Sequence, residues 1–223
     1  MKNPFTPDFV AYLADLEANN EREWFHAHKA RYEKSVKEPF EAFVEDLIAR
    51  LQKLNPALAL TAKDAIFRIA RDTRFSKDKT PYKTHMAALL SNSGRKGIHE
   101  PGLYLQISPT GVDLYTGAYE PEKEALQRIR EEIADRDKDF KALLADKAFK
   151  KLWGELQGEK NKRIPKELEE AAQRQPLLYN KQFYFHAQLG KSQVTHPKLA
   201  ETLVEHYRVA MPLMAFFQKP MVG

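Results

Sequence analysis

The order in which the hydrophobic period changes along this chain restricts its fold more than any other feature. Apolar residues recur at helical spacing up to Leu54, at strand-like spacing through the middle, and at helical spacing again after Pro121. Helices, then consecutive strands, then helices predict an α+β fold. Its mainly antiparallel sheet lies in the middle of the chain, flanked by N-terminal and C-terminal helices; a doubly wound parallel sheet would alternate strands with helices throughout. No repeat and no low-complexity linker interrupts the pattern, so residues 1–223 are read as a single α+β domain.

Local signals place the elements. Thr6, Pro7 and Asp8 form a helix start followed by Phe9, Tyr12, Leu13 and Leu16 at helical spacing. Asn19 and Asn20 break that helix, and Asn20 with Glu23 has the spacing of a capping box opening a second one, which carries Trp24, Phe25, His28 and Tyr32. Pro39 restarts the chain before an apolar stripe that begins at Phe40 and stops at Asn55-Pro56. Strands are expected over 66–71, 86–90, 103–108 and 112–119, with Pro109-Thr110-Gly111 turning between the last two. Helices marked by Leu126, Ile129, Ile133 and then by Phe140 to Leu156 follow. Pro165 opens another and Pro176 ends it. A last strand is expected over 183–189, then a helix from about His196 that Pro212 bends or restarts.

Charge is localised. The chain has 36 Lys+Arg and 31 Asp+Glu, a net charge of +5. Residues 66–100 hold eight basic side chains (Arg68, Arg71, Arg74, Lys77, Lys79, Lys83, Arg95, Lys96) and three acidic ones (Asp72, Asp78, Glu100), leaving 28 of each sign elsewhere. The whole excess belongs to one stretch, which points to a local anion site in place of a generally basic surface. The sequence has no cysteine, which excludes disulfides, thiol nucleophiles, Cys-ligated zinc and iron-sulfur clusters and fits a reducing compartment. Apolar runs fall short of a membrane span and residues 1–9 hold no apolar signal core, so a cytoplasmic protein without membrane partners is expected.

The most distinctive string is Arg71-Asp72-Thr73-Arg74-Phe75-Ser76-Lys77-Asp78-Lys79-Thr80-Pro81-Tyr82-Lys83-Thr84-His85. Together with Asn19-Asn20-Glu21-Arg22-Glu23-Trp24-Phe25 and the later Lys29, Tyr32 and Pro39, it resembles the bacterial and fungal family catalogued as domain of unknown function 2461. The resemblance covers nearly the whole chain. It implies no catalytic residues and no activity, so it supplies a family and two motifs.

Physically, the string concentrates anion-binding devices. Arg71 and Arg74 offer planar forks for phosphate or carboxylate, Lys77, Lys79 and Lys83 add point charges, and Ser76 and Thr80 add hydroxyls. Asp72 and Asp78 orient the cations or cap turns, and Pro81 stiffens the approach to Tyr82. The ligand-binding set expected from sequence is therefore Arg71, Asp72, Arg74, Ser76, Lys77, Lys79, Thr80, Tyr82, Lys83 and His85. An architectural reading stands beside it, in which Arg71 and Arg74 pair with carboxylates of the Asn19–Glu23 corner and the two motifs are halves of one folding contact. His85 is either an acid or base beside a bound phosphate or a hydrogen-bonded structural residue. Trp24 and Phe25 are read as core aromatics, and the Gly-rich stretch 93–102 as a loop that closes over a ligand or as a plain exposed hairpin loop.

Other patterns exclude chemistry. His26 and His28 are two apart on a predicted helix and cannot form an i, i+4 zinc pair, and no other histidine has ligand spacing, so neither a metal site nor a cofactor is expected. Gly190-Lys191-Ser192 lacks the upstream glycine of a phosphate-binding loop, since position 185 is Phe185. Three functions fit: a protein that binds a small phosphorylated or other anionic ligand, with or without transforming it, which is the favoured reading; a nucleic-acid binder using the same cations plus Arg95 and Lys96; and a scaffold in which the motif is an ion-pair network.

Overall fold

The computed structural model describes residues 4–221; the first three positions of the 1–9 stretch lie outside them. Helix α1 (Pro7–Ala18) starts where expected, with Pro7 in its first turn. Helix α2 (Arg22–Ala27) stops at His28, and α3 (Lys29–Tyr32) restarts there. A π-helical turn, Glu33–Lys37, leads directly into α4 (Glu38–Gln52). Pro39 therefore does not break the chain. The π turn shifts the hydrogen-bonding register just before Pro39, and the helix runs on through a residue that has no N–H to give. A short α5 (Ala62–Ala65) follows.

The sheet has four strands in the order of the sequence, β1 (Met86–Leu90), β2 (Gly102–Ser108), β3 (Gly111–Ala118) and β4 (Phe183–Gly190), each antiparallel to its neighbour. Between β3 and β4 the chain builds α6 (Lys123–Asp135), α7 (Asp137–Ala145), α8 (Lys147–Trp153) and α9 (Glu169–Arg174); α10 (Leu199–Gln218) closes it. The structure is thus α+β, as the periods predict. Pro212 sits inside α10 without ending it.

Segment 66–71, expected as a strand, makes only isolated bridges, Ile66 with Ala88 and Ala70 with Tyr82. It turns away from β1 after one contact to form its own hairpin, so no continuous ladder develops. The predicted capping box is also absent. Glu21 precedes α2 without a side-chain cap, and the Asn20 side chain is engaged elsewhere.

Period-two alternation sorts the strands into two faces. On one face Ala88, Leu105, Leu114 and Ala187 lie directly opposite one another and are buried. Helices α4, α8 and α10 cover this side: Phe149 of α8 meets Phe185 edge-on at 4.7 Å, and Phe217 of α10 lies 5.8 Å from Phe183. Roughly 1.5–3 kcal/mol per large side chain removed from water makes this face the main source of stability. The opposite face carries Tyr, Gln, Asp and His along β2 to β4, while along β1 it presents the buried Ala87 and Leu89.

Candidate functional site

This second face owes its character to register. Antiparallel pairing sets Leu89 opposite Tyr104, Tyr104 opposite Tyr115, and Tyr115 opposite His186. The rings of Tyr104 and Tyr115 meet at 5.9 Å, and the Tyr115 ring lies flat on His186 at 4.4 Å with 14° between planes. One row along, Gly102 opposes Gly117, which opposes Tyr184. Two facing glycines leave bare backbone as a floor, walled by Tyr104, Tyr115, Tyr119 and Tyr184 and by Leu89 and Ile98. The resulting cleft has a volume of about 430 Å³. Gly117 is also required by its backbone, since at φ +111° a Cβ would approach the Phe183 carbonyl oxygen to 2.2 Å.

In the other direction along the strands the face becomes ionisable. Gln106 opposes Asp113, and Asp113 opposes Gln188. The Asp113 carboxylate sits 2.8 Å from His186 Nε2 and accepts from the Gln188 amide at 3.2 Å. His85 lies near Asp113 and Lys83, and burial followed by the Lys83 charge pushes its imidazole down to about 4, so it is neutral at physiological pH. Burial pushes the Tyr104 hydroxyl up to about 12 and raises Tyr115. Tyr104 and Tyr115 are therefore neutral donors and stacking surfaces.

Beside β1 stands the basic string. Arg71 N–H donates to the Pro81 carbonyl and Lys83 N–H to the Ile69 carbonyl, both at 2.8 Å, closing a hairpin base that flanks the Ala70–Tyr82 bridge. In this bond pattern the N–H and C=O of Tyr82 point away from Ala70, toward an open edge. Asn20 fills that edge like a peptide of a further strand: its Nδ2 donates to the Tyr82 carbonyl at 2.9 Å, and Tyr82 N–H donates to Oδ1 at 3.1 Å. Phe25 stacks on the Tyr82 ring at 4.0 Å. The two sequence motifs thus meet, through an amide and a ring stack. The Arg–carboxylate pairing expected between them is replaced by pairing inside the loop. Arg71 donates to Asp78 and Thr80, and Arg74 holds Asp72 at 2.7 Å. The Thr80 backbone N–H, then the Arg71 guanidinium, hold the Asp78 carboxyl down at about 2.

The ten residues expected to bind a ligand therefore divide. Arg71, Asp72, Arg74, Ser76, Lys77, Lys79 and Thr80 belong to the loop, where Lys79 donates to the Thr73 carbonyl at 2.8 Å. Tyr82 faces the Asn20 corner. Lys83 and His85 belong with the sheet: the Lys83 ammonium rests 5.1 Å from the Phe67 ring, which in turn lies 5.9 Å from the ring of Tyr104. Burial and the neighbouring Arg68 charge lower the Lys83 pKa.

The Gly-rich loop contributes as well. Its 3-10 turn, Gly94–Lys96, is fixed by Arg95 bonding to the carbonyls of Lys63 and Ile66, while Glu100 accepts from Ser93 N–H and hydroxyl at 3.1 and 2.6 Å. These bonds set Ile98 and Glu100 on the rim of the cleft. Sequence reasoning passed over Tyr104, Tyr115, Tyr184, Asp113 and His186. Their signal was the outward half of each alternating strand; what joins them is register, which pairing decides. Among the described residues there is no group of three or more His, Asp or Glu arranged to hold a metal ion, and no helix is long and apolar enough to cross a membrane.

Fold and site define an α+β protein with an antiparallel sheet, helices packed on one of its faces and an aromatic cleft on the other. The chain belongs to the family described as a conserved hypothetical protein, domain of unknown function 2461, whose profile matches residues 8–216. No curated protein matches it.

Proposed function

We propose that this protein binds a small ligand combining a flat ring with an anionic group, the ring in the tyrosine cleft and the anion toward Lys83. The observation carrying this reading is the row of aromatic side chains around a glycine floor, enclosing about 430 Å³. Ligand pockets typically span about 300–1,000 Å³ and combine aromatic walls with a few placed polar groups. Gln106 and the tyrosine hydroxyls supply such groups here. The anion preference rests on Lys83. Its half-buried ammonium has an aromatic face as its partner, a second cation beside it and, among the described residues, no carboxylate within ion-pair distance. An anion there would relieve two like charges at once. Glu100 at the far rim disfavours the reverse orientation by repulsion.

Thermal denaturation tests the reading with three probe classes: nucleosides, which carry a ring alone; inorganic phosphate, an anion alone; and mononucleotides, which carry both. At about 100 times Kd a ligand adds ~2.7 kcal/mol, or roughly 5–10 °C for a chain of this size. Mononucleotides should raise Tm by this order and the separate halves by much less. Tyr115→Ala and Lys83→Met should each remove the shift. Shifts that survive both substitutions, or that phosphate reproduces alone, would refute the proposal.

A further inference from the structure

The loop beyond Lys83 carries a feature that a small-ligand site does not use. Phe75 is 94% exposed, and among the described residues its one ring contact is the Arg74 guanidinium at 5.6 Å. Single exposed apolar residues are common on protein surfaces. Phe75 differs in where it is carried. The hairpin base is closed by two backbone bonds and clamped by Asn20 and Phe25; above it, Asp72–Arg74, Asp78–Thr80 and Lys79–Thr73 contacts occupy the polar groups on either side of the ring. The stretch bearing it also contains the whole positive excess of the chain.

We propose that this hairpin engages single-stranded nucleic acid, with a base stacked on Phe75 and phosphates on Arg74, Lys77 and Lys79, while a second nucleotide of the strand occupies the tyrosine cleft. The inference rests on the cleft reading and names its ligand as one unit of a polymer. An exposed ring among cations is the arrangement that binds unpaired bases without sequence preference, because every base offers a π face and every linkage a charge. The exposed ion pairs do not oppose this, since solvent-exposed Asp–Arg pairs are weak and a phosphate can replace the carboxylate. The hairpin also springs from the same sheet edge as Phe67, whose ring contacts Tyr104, so aromatic surface continues from the edge into the cleft. An anionic membrane would attract the same charge. Yet Asp72 and Asp78 flank the single apolar residue of the loop, and a sheet face with a recessed cleft offers a bilayer nothing.

Fluorescence anisotropy with fluorescein-labelled oligothymidylate and oligouridylate of about twelve nucleotides is the direct test. Wild-type protein should bind, with log Kd changing by about 2 per tenfold change in salt if three phosphates are neutralised. Phe75→Ala should weaken binding roughly 5- to 100-fold, and Phe75→Trp should restore it. Because the side chain contacts so little, melting of both variants should match wild type, which separates a binding loss from a folding defect. Absence of binding at low salt, binding indifferent to Phe75→Ala, or Phe75-dependent sedimentation with phosphatidylserine vesicles in place of oligonucleotide binding would each overturn the inference. The two proposals fail separately. If mononucleotides still shift Tm in a Tyr115-dependent way while oligonucleotides bind no tighter than they do, the hairpin role falls and the cleft stands. If oligonucleotides bind through Phe75 but ignore Tyr115→Ala, the polymer does not span both surfaces and the inference falls; the cleft reading falls with it only if mononucleotide shifts of Tm also survive Tyr115→Ala.

Discussion

Replacing Asn20 tests how the basic hairpin is held. Its amide makes two bonds to the backbone of Tyr82, at 2.9 and 3.1 Å, in a half-buried position. The bridge to Ala70 leaves those two groups pointing outward, so no strand neighbour takes over when the amide is removed. Each bond contributes about 0.5–1.5 kcal/mol, and partial access of water to Tyr82 limits the penalty for the orphaned groups. Asn20→Ala should therefore cost about 1–3 kcal/mol and lower Tm by roughly 2–10 °C at this chain length. Asn20→Asp is the sharper probe. It keeps the acceptor for Tyr82 N–H but sets a carboxylate oxygen against the Tyr82 carbonyl, so at neutral pH it should be at least as destabilising as Ala. In the folded state that repulsion favours the protonated acid, raising the folded pKa above the unfolded one. Stability of Asn20→Asp relative to Asn20→Ala should accordingly rise as pH falls toward 4 and be lost as pH climbs. Urea denaturation of wild type and both variants at several pH values measures this. If Asn20→Ala melts with wild type, or if Asn20→Asp shows no pH dependence relative to Ala, the amide is not what clamps the hairpin.

The loop ion pairs should matter far less. Arg74→Ala removes an exposed pair with Asp72 and should shift Tm by no more than about 2 °C; a loss of many degrees in a melting scan would show that the loop, and not the Asn20 clamp, organises this corner. His85 should give a pH signature. Unfolded, it takes up a proton near its ordinary value of 6.5; folded, burial and the Lys83 charge delay uptake to about 4, with Asp113 opposing them weakly. The unfolded state therefore binds more protons between these values, and stability falls as pH drops through the window. The loss is about 2 kcal/mol once partial solvent contact is allowed for. His85→Gln should flatten that part of the stability curve relative to wild type, leaving the contribution of His206, which burial also depresses, unchanged. Parallel curves for the two proteins would refute a buried neutral His85.

What could be read from the sequence divides along a physical line between local and non-local information. The α+β order, the positions of β1 to β4 and the apolar stripe of α4 all follow from periods and turn chemistry spanning fewer than about twenty residues, and all appear in the structure; the turn expected at Pro109-Thr110-Gly111 is there too, but Gly111 already pairs with Ser108 as the first residue of β3. The departures have one cause. Asn20 looked like a cap because three residues later stands Glu23, but its amide is worth more against Tyr82, 62 positions away, where two backbone groups would otherwise lack partners. Segment 66–71 has strand composition, yet after one bridge to Ala88 it turns to pair with residues 81–83, so composition was right about extended backbone and silent about its neighbour. The same limit hid the cleft. Leu103 to Ser108 and Gly111 to Ala118 each announce a tyrosine on the outward face, but only register decides whether Tyr104 and Tyr115 meet, and a slip of one residue in either strand would turn one ring inward. The charge count located the cations of the basic string correctly and, within the loop, could not show that Arg71 and Arg74 would each find a carboxylate a few residues away. Lys83 escapes that internal pairing because alternation along the hairpin base carries it to Phe67 and the sheet edge. Which cation of the string stays outside the loop's ion pairs is therefore set by pairing geometry, which a count of charges along the sequence does not contain.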